Sequence, residues 1–285
     1  MYATAWSSEA RGAPRRQRAH GTLSFDAALS GSETRPVRIA ESGPSRIRLP
    51  NVTGPALEAV MMNTGGGIAC GDRMETAVTA GPGARLVLTT PAAERCYRSD
   101  GPVSAVHTSL RAADGADLAW LPQETILYDE ARLRRSFEAD LAGMARLSVF
   151  EAVVFGRTAR GEEVAHGFFE DRWRVRRDGK LIFADTLRLD GPVSQLLARP
   201  AVAKGARTLA TFLHVAPDAQ ARIEEARALL ETASPNGAPC LAAASAWSGI
   251  LTVRFLAPEI APLRRAAIDF LTRFRGTPLP RVWHS

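Results

Sequence analysis

Three carboxylates stand where strand alternation turns them toward a protein interior. Glu151 lies in LSVFEAVVFGR, a run that is apolar on both faces and therefore predicts a buried strand. Glu124 shares a predicted strand face with Trp120. Asp185 lies between the apolar residues Phe183 and Leu187 on its own strand face. An unpaired interior carboxylate is costly, so each needs an arginine, a backbone donor, water, a proton or a cation.

Two interpretations of these acids remain open. Arginine carries almost all of the positive charge, since Lys180 and Lys204 are the only lysines, and arginines can pair with the acids structurally. The functional interpretation is a polar internal route for a divalent cation.

The glycine run GGGIACGD, Gly65 to Asp72, lacks the lysine of a phosphate-binding loop and the glycine spacing of a dinucleotide fingerprint. Cys70 within it would need a histidine base to act as a nucleophile. No Gly-x-Ser-x-Gly elbow occurs, and the histidines are distant in sequence: His20, His107, His166, His214 and His284. A hydrolase that uses Cys70 stays as an alternative.

The cysteines Cys70, Cys96 and Cys240 form no CxxC pair, and the chain has no HxxxH or calcium-loop motif. Neither a disulfide framework nor a local zinc site is indicated, and free thiols fit a reducing compartment. No secretory apolar region or membrane-spanning run is recognisable, so we expect a cytoplasmic protein without a membrane partner.

The 285 residues are 46% hydrophobic and 23% charged, which is ordinary for a globular protein, and the net charge is +6. The segment DRWRVRRDGK suggests an RNA-binding module as a further alternative. Trp173 alternates with arginines along that strand, however, so ring and charges face opposite ways, unlike a stacking platform.

Most of the chain is predicted to form strands, including the run that follows a Gly-Pro-Gly turn within 79–90 and the segments 103–111, 116–128 and 133–141. The clearest hairpin turns at Asp178-Gly179, a pair that favours a type I′ turn. It places Trp173 and Val175 on one face and arginines on the other.

Helical spacing appears only near the end of the chain, at 218–233 and 258–274, with strands predicted at 240–247 and 250–256. We therefore expect a β-α-β-β-α portion at about 205–275 within a single mainly β domain, residues 21–285. Residues 1–20 are predicted to be a disordered leader.

Six segments together resemble the family of urease accessory protein D, called H in some bacteria. They run in order through most of the chain: GGGIACGDRM (65–74), GPGARLVLTTPAAERCYRS (81–99), WLPQETILYDEARLRR (120–135), FGRTARGE (155–162), RRDGKLIFADTLRLDG (176–191) and GTPLPRVW (276–283). Cys70 and the pair Glu94-Arg95 depart from the family's usual residues.

The resemblance implies a mainly β protein, elongated and helically wound, with two α-helices near the C-terminus. It also implies that the protein is a maturation factor for urease, which is a nickel enzyme. The maturation factor itself would catalyse no reaction. Such a protein binds accessory protein F directly, GTPase G through F, and apo-urease, and it needs no nucleic acid.

A protein that passes Ni²⁺ onward cannot hold it in a closed set of thiolates and imidazoles, which bind it tightly. Carboxylates release it more readily. We therefore predict Asp72, Glu124, Glu151 and Asp185 as transient nickel-path residues, with no tightly bound cofactor. The glycine run is interpreted as a tight turn that positions Asp72.

Overall fold

The computed structural model describes residues 18–52, 54–157, 160–234 and 239–284. The predicted leader lies outside the described residues as far as residue 17. In chain order the strands are β1 (His20–Ser30), β2 (Glu33–Ser42), β3 (Ser45–Arg48), β4 (Leu57–Asn63), β5 (Arg73–Ala80), β6 (Arg85–Thr89), β7 (Glu94–Cys96), β8 (Ser104–Ala112), β9 (Asp117–Leu121), β10 (Thr125–Leu127), β11 (Arg132–Leu141), β12 (Arg146–Phe155), β13 (Gly167–Arg177), β14 (Lys180–Gly191), β15 (Thr208–Val215), β16 (Leu241–Trp247) and β17 (Ile250–Ala257). The α-helices are α1 (Val193–Ala198), α2 (Ile223–Ala233) and α3 (Ile260–Arg275).

The strands form two sheets that the chain visits alternately. The first sheet has the order β14-β13-β11-β8-β5-β1-β2, and the second has β16-β17-β15-β12-β9-β6-β4-β3, with β7 and β10 beside it. From β4 to β13 the chain crosses repeatedly between the sheets, and each turn lays a strand parallel to the one before. The predicted mainly β, helically wound fold with two helices near the C-terminus is confirmed.

Glycine turns at one end of the winding make the crossings possible. Gly83, Gly115 and Gly143 have φ values of 65°, 70° and 49°, a region that residues with a Cβ rarely adopt. Successive turns also bind one another, since the Met144 amide donates to Asp114 Oδ1 at 2.7 Å. The winding thus follows from a repeated turn.

The predicted hairpin is present as β13 and β14, which pair antiparallel. Asp178 and Gly179 have φ values of 49° and 77°, as a type I′ turn requires. Trp173 and Val175 are buried, whereas Arg172 on the other face is exposed. The prediction that the aromatic and arginine side chains lie on opposite faces of this strand is confirmed.

Two predictions about elements are wrong. The segment 116–128 is not one strand, because β9 and β10 are separated at 122–124, where Pro122 has no amide hydrogen for the ladder. Glu124 therefore lies in this break and not on the strand face of Trp120. Helix α1 was not expected, since six residues are too few to show a helical period.

Strand β12 lies at the centre of the molecule and is buried on both faces, as its sequence predicts. Leu147 and Val149 belong to the core between the sheets. Phe150, on the other face, packs against Phe255 and Trp283 beneath α3. Among the described residues, no helix combines the length and apolar character needed to cross a membrane.

Candidate functional site

A buried cluster of one arginine and two carboxylates lies between the sheets. Arg135 Nη2 is 3.2 Å from Glu151 Oε2 and 2.5 Å from Asp171 Oδ2. Trp120 Nε1 donates to Glu151 Oε1 at 2.9 Å, and Arg135 Nη1 donates to Thr125 Oγ1 at 3.2 Å. The three charged side chains are at most 11% exposed.

Strand alternation places these side chains. Arg135 on β11 and Asp171 on β13 are register partners in the first sheet, at positions that face inward. Glu151 projects from β12 in the second sheet and meets them across the interior. The cluster, which we call the Arg135 cluster, therefore links the two sheets.

One guanidinium is shared by two carboxylates in this cluster. Burial raises the pKa of Glu151, Arg135 opposes that rise, and the neighbouring charge of Asp171 adds to it. Asp171 Oδ1 and Arg135 Nε are buried without a hydrogen-bond partner. The cluster thus has unused acceptor capacity and a negative charge when both acids are ionised.

Two cavities meet at the Arg135 cluster. The first, of about 140 Å³, is lined by Arg135 and Glu151 together with Asn63, Glu94, Gln123 and Thr125, among other residues. The second, of about 180 Å³, is lined by Arg135, Glu151, Asp171, Asp185, Thr211 and Arg254, among others. Each is large enough for several water molecules.

Glu94 gives the first cavity a second perturbed carboxyl group. Burial raises the pKa of Glu94 to about 7, against a smaller opposing effect of its hydrogen bond with Asn63 Nδ2 at 3.3 Å. This carboxyl is therefore partly protonated near neutral pH.

Asp185 borders the second cavity, as does Glu151. Its Oδ2 is 2.6 Å from Arg254 Nη2, an ion pair between β14 and β17 that is partly open to solvent. The structure thus brings two of the four predicted acids to one cavity, and each has an arginine partner.

The other two predicted acids lie elsewhere. Glu124 Oε2 is 3.2 Å from Arg264 Nη1 on α3. Asp72 is buried and accepts backbone amide hydrogens from Ala19 and Ala69, each at 2.8 Å. Neither lines the two cavities.

Sequence reasoning missed Arg135, Asp171 and Glu94. The first two stand at inward positions of alternating strands, since Arg135 lies between Leu133 and Phe137 on its face and Asp171 between Phe169 and Trp173. A charged residue at an inward position was the available signal. Glu94 sits in a three-residue strand, where no alternation can be recognised.

The glycine run is a tight turn between β4 and β5. Gly66 and Gly71 have φ values of 77° and 81°, and a Cβ at Gly67 would lie 2.5 Å from the Tyr97 ring. The buried Cys70 thiol donates to Asp100 Oδ1 and accepts from Ser99 Oγ. It makes no hydrogen bond to any histidine that the structure describes, so the geometry gives the hydrolase alternative no base.

The RNA-binding alternative loses its aromatic platform. Trp173 is 3% exposed and packs between Phe137 and Phe183, so no base can stack on it.

Within the described ranges no three His, Cys, Asp or Glu side chains gather closely enough to hold a metal ion. Any cation would meet oxygen atoms in small numbers.

The chain is similar to known proteins over nearly its whole length. The profile described as UreD urease accessory protein matches residues 17–284. Urease accessory protein UreD of Methylobacterium sp. is 55% identical over 95% of this chain and 97% of its own. That of Xanthobacter autotrophicus is 56% identical over 94% and 91%, and one from Rhodopseudomonas palustris is 46% identical over 94% and 95%. This chain belongs to the UreD family of urease accessory proteins.

Proposed function

We propose that this protein assists urease maturation in the cytoplasm as a non-catalytic scaffold through which Ni²⁺ passes. It binds accessory protein F directly, GTPase G through F, and apo-urease. Its family membership supports the maturation role, because its relatives carry the name urease accessory protein. The two cavities that meet at Glu151 support a passage through its interior.

The observation that carries the proposal is the position of Glu151 between the two cavities. Glu94 lies on one side of it, and Asp171 and Asp185 lie on the other. No described residue in either lining is a cysteine or histidine. Of the four acids predicted from the sequence, Glu151 and Asp185 stay in this path, and Glu94 and Asp171 join it.

The chemistry of these linings suits transfer and not storage. Ni²⁺ binds thiolate and imidazole sets tightly, whereas one or two carboxylates with amide, hydroxyl and water oxygens hold it weakly. A weakly held ion can leave. When no cation is present, Arg254 neutralises Asp185, and Arg135 offsets one of the two charges of Glu151 and Asp171.

A structural role for the acids makes a different prediction. If Arg135 and Arg254 only stabilise the fold, replacing an acid by its amide will change stability without changing nickel transfer. If the acids carry Ni²⁺, a folded variant will transfer less.

The experiment is co-expression of the urease subunits and the other accessory proteins with wild-type chain, without it, or with Glu151→Gln or Asp185→Asn. We expect nickel content and urease activity to be lost without the chain and to fall severalfold in both variants. Capture of accessory protein F and apo-urease should persist, because Glu151 is buried and Asp185 is only partly exposed, and each change is from an acid to its amide of similar shape.

Asp190→Asn is the matched control. Asp190 lies on the same strand as Asp185, is about half exposed and pairs with Arg188 outside both cavities. It should support normal nickel loading. Normal nickel loading without the chain would refute the maturation role, and normal loading by folded Glu151→Gln would refute the path.

A further inference from the structure

A third cavity, of about 290 Å³, lies on the opposite face of the second sheet, away from the proposed cation path. The C-terminal end of α3 covers it. Four guanidinium groups and one carboxylate make up its charged lining. The arginines are Arg85, Arg146, Arg222 and Arg275, and the acid is Asp117.

Neighbouring strands build one wall of this cavity. Arg85 on β6, Asp117 on β9 and Arg146 on β12 are register partners, so a negative group lies between two positive ones. Arg146 also binds Asp218 at 2.9 Å, and Arg222 binds Glu225 at 2.8 Å. Four guanidiniums therefore face three carboxylates, and one positive charge is left uncompensated.

Arg275 contributes an unsatisfied nitrogen to this cavity. It is the last residue of α3, and its Nη1 is buried with no hydrogen bond. No described carboxylate lies within 4 Å of it, and burial lowers the pKa of its guanidinium, against a smaller opposing effect of the Asp117 charge. A buried guanidinium nitrogen without an acceptor is costly, and an anion in the cavity would remove that cost.

His214 supplies an independent second observation. This side chain is 5% exposed and lines the cavity beside Phe274. Its Nδ1 lies 3.0 Å from Ser148 Oγ, whereas Nε2 is buried with no partner. Burial and the nearby arginines lower the pKa of His214 to about 4, so the ring is neutral at physiological pH.

The neutral ring can act as a donor here. If the Ser148 hydroxyl donates to Nδ1, the ring proton is on Nε2, where it can be given to an acceptor. An anion close to Nε2 would favour this tautomer, because it accepts that proton. The site then combines one neutral N–H donor with several guanidinium donors.

We propose that this cavity binds a phosphoryl group, either free phosphate or the phosphate of a nucleotide. The guanidiniums of Arg275 and Arg85 offer paired donors that match phosphate oxygens. The Nε2–H of His214 would donate a further hydrogen bond from a third direction. Arg275 and His214, whose unpartnered nitrogens are Nη1 and Nε2, both line this cavity. The inference is independent of nickel transfer.

The test is titration of the purified full-length protein with sodium phosphate, and separately with GDP, followed by calorimetry and by melting temperature. Sodium chloride keeps the ionic strength constant, so that general screening does not imitate binding. We expect saturable binding and a rise in melting temperature with phosphate or GDP. Competition between the two ligands would identify one shared site, and binding of GDP alone would identify the ester as the ligand.

Arg275→Gln should weaken binding at least about tenfold, because it removes a charged donor pair. Arg273→Gln is the matched control on the same helix, since Arg273 is exposed and pairs with Asp269. If Arg275→Gln does not fold, the exposed Arg85 on the opposite wall is tested as Arg85→Gln. The proposal is overturned if neither ligand saturates at millimolar concentration, or if the cavity variants bind as tightly as Arg273→Gln.

Discussion

Arg135 is the single residue on which the interior charges depend. It is the only cation within 4 Å of both Glu151 and Asp171 among the described residues. Without it, two buried carboxylates would face each other with no counter-charge, and at least one would have to take up a proton.

We therefore expect Arg135→Gln to lower the free energy of unfolding by about 3–5 kcal/mol, as the loss of one partner of a buried ion pair does. Urea denaturation at neutral pH measures this. Arg134→Gln is the control, because Arg134 is half exposed and pairs with Glu170 at the surface, where we expect a loss below about 1 kcal/mol. Equal effects of the two changes would show that the Arg135 cluster does not hold the sheets together.

Glu94 makes stability depend on pH. Its pKa is about 7 in the fold and 4.5 as the ordinary value, so the folded state favours the protonated form. The stabilisation is complete below pH 4.5 and is lost as the pH rises through about 7.

Glu94→Gln imitates the protonated carboxyl and should remove this dependence. We expect it to raise the free energy of unfolding by up to about 3 kcal/mol above about pH 8 and to have little effect in acid. Urea denaturation of both proteins across the pH range is the measurement. A stability difference that stays constant with pH would contradict the assignment.

The C-terminal segment holds helix α3 against the second sheet through packing and hydrogen bonds. Trp283 lies in a short 3₁₀-helix, Arg281–His284, and its Nε1 donates to Leu121 O at 3.1 Å and Thr89 Oγ1 at 3.2 Å. Its ring packs on Phe150 at 5.5 Å, and Arg264 of α3 donates to its carbonyl at 2.9 Å.

Trp283→Ala should therefore cost about 3–5 kcal/mol, because it leaves a large void in the core beneath α3. Trp283→Phe should cost less, mainly through the lost hydrogen bonds. Thermal or urea unfolding tests the order, and the exposed His284→Ala is the control. Wild-type stability of Trp283→Ala would mean that the segment is not needed to hold α3.

At the scale of the whole molecule, the winding creates an interior shared by two sheets. Each turn contributes one strand to each sheet, so inward side chains from distant parts of the chain face one another. The Arg135 cluster and its two cavities occupy that interior, whereas the third cavity lies outside it, under α3. The fold therefore separates the proposed cation path from the proposed phosphoryl site by the thickness of one sheet.

Local patterns in the sequence determined the strand faces, the type I′ turn at Asp178-Gly179, the burial of β12 and the two C-terminal helices. These features depend on alternation, helical period and turn chemistry, which act over a few residues. The motifs also carried the family resemblance. The prediction from alternation was wrong at Pro122, because this residue has no amide hydrogen for the ladder and the strand ends before it. Glu124 therefore does not lie on the expected strand face.

Which acid meets which arginine depends on the three-dimensional arrangement of the strands. Arg135 and Asp171 are 36 residues apart, and Asp185 and Arg254 are 69 apart. A strand pattern says that a side chain points inward, but the register and the winding decide what it faces there. For the same reason the cavities could not be read from the chain, because each is a space left between turns that are remote in sequence.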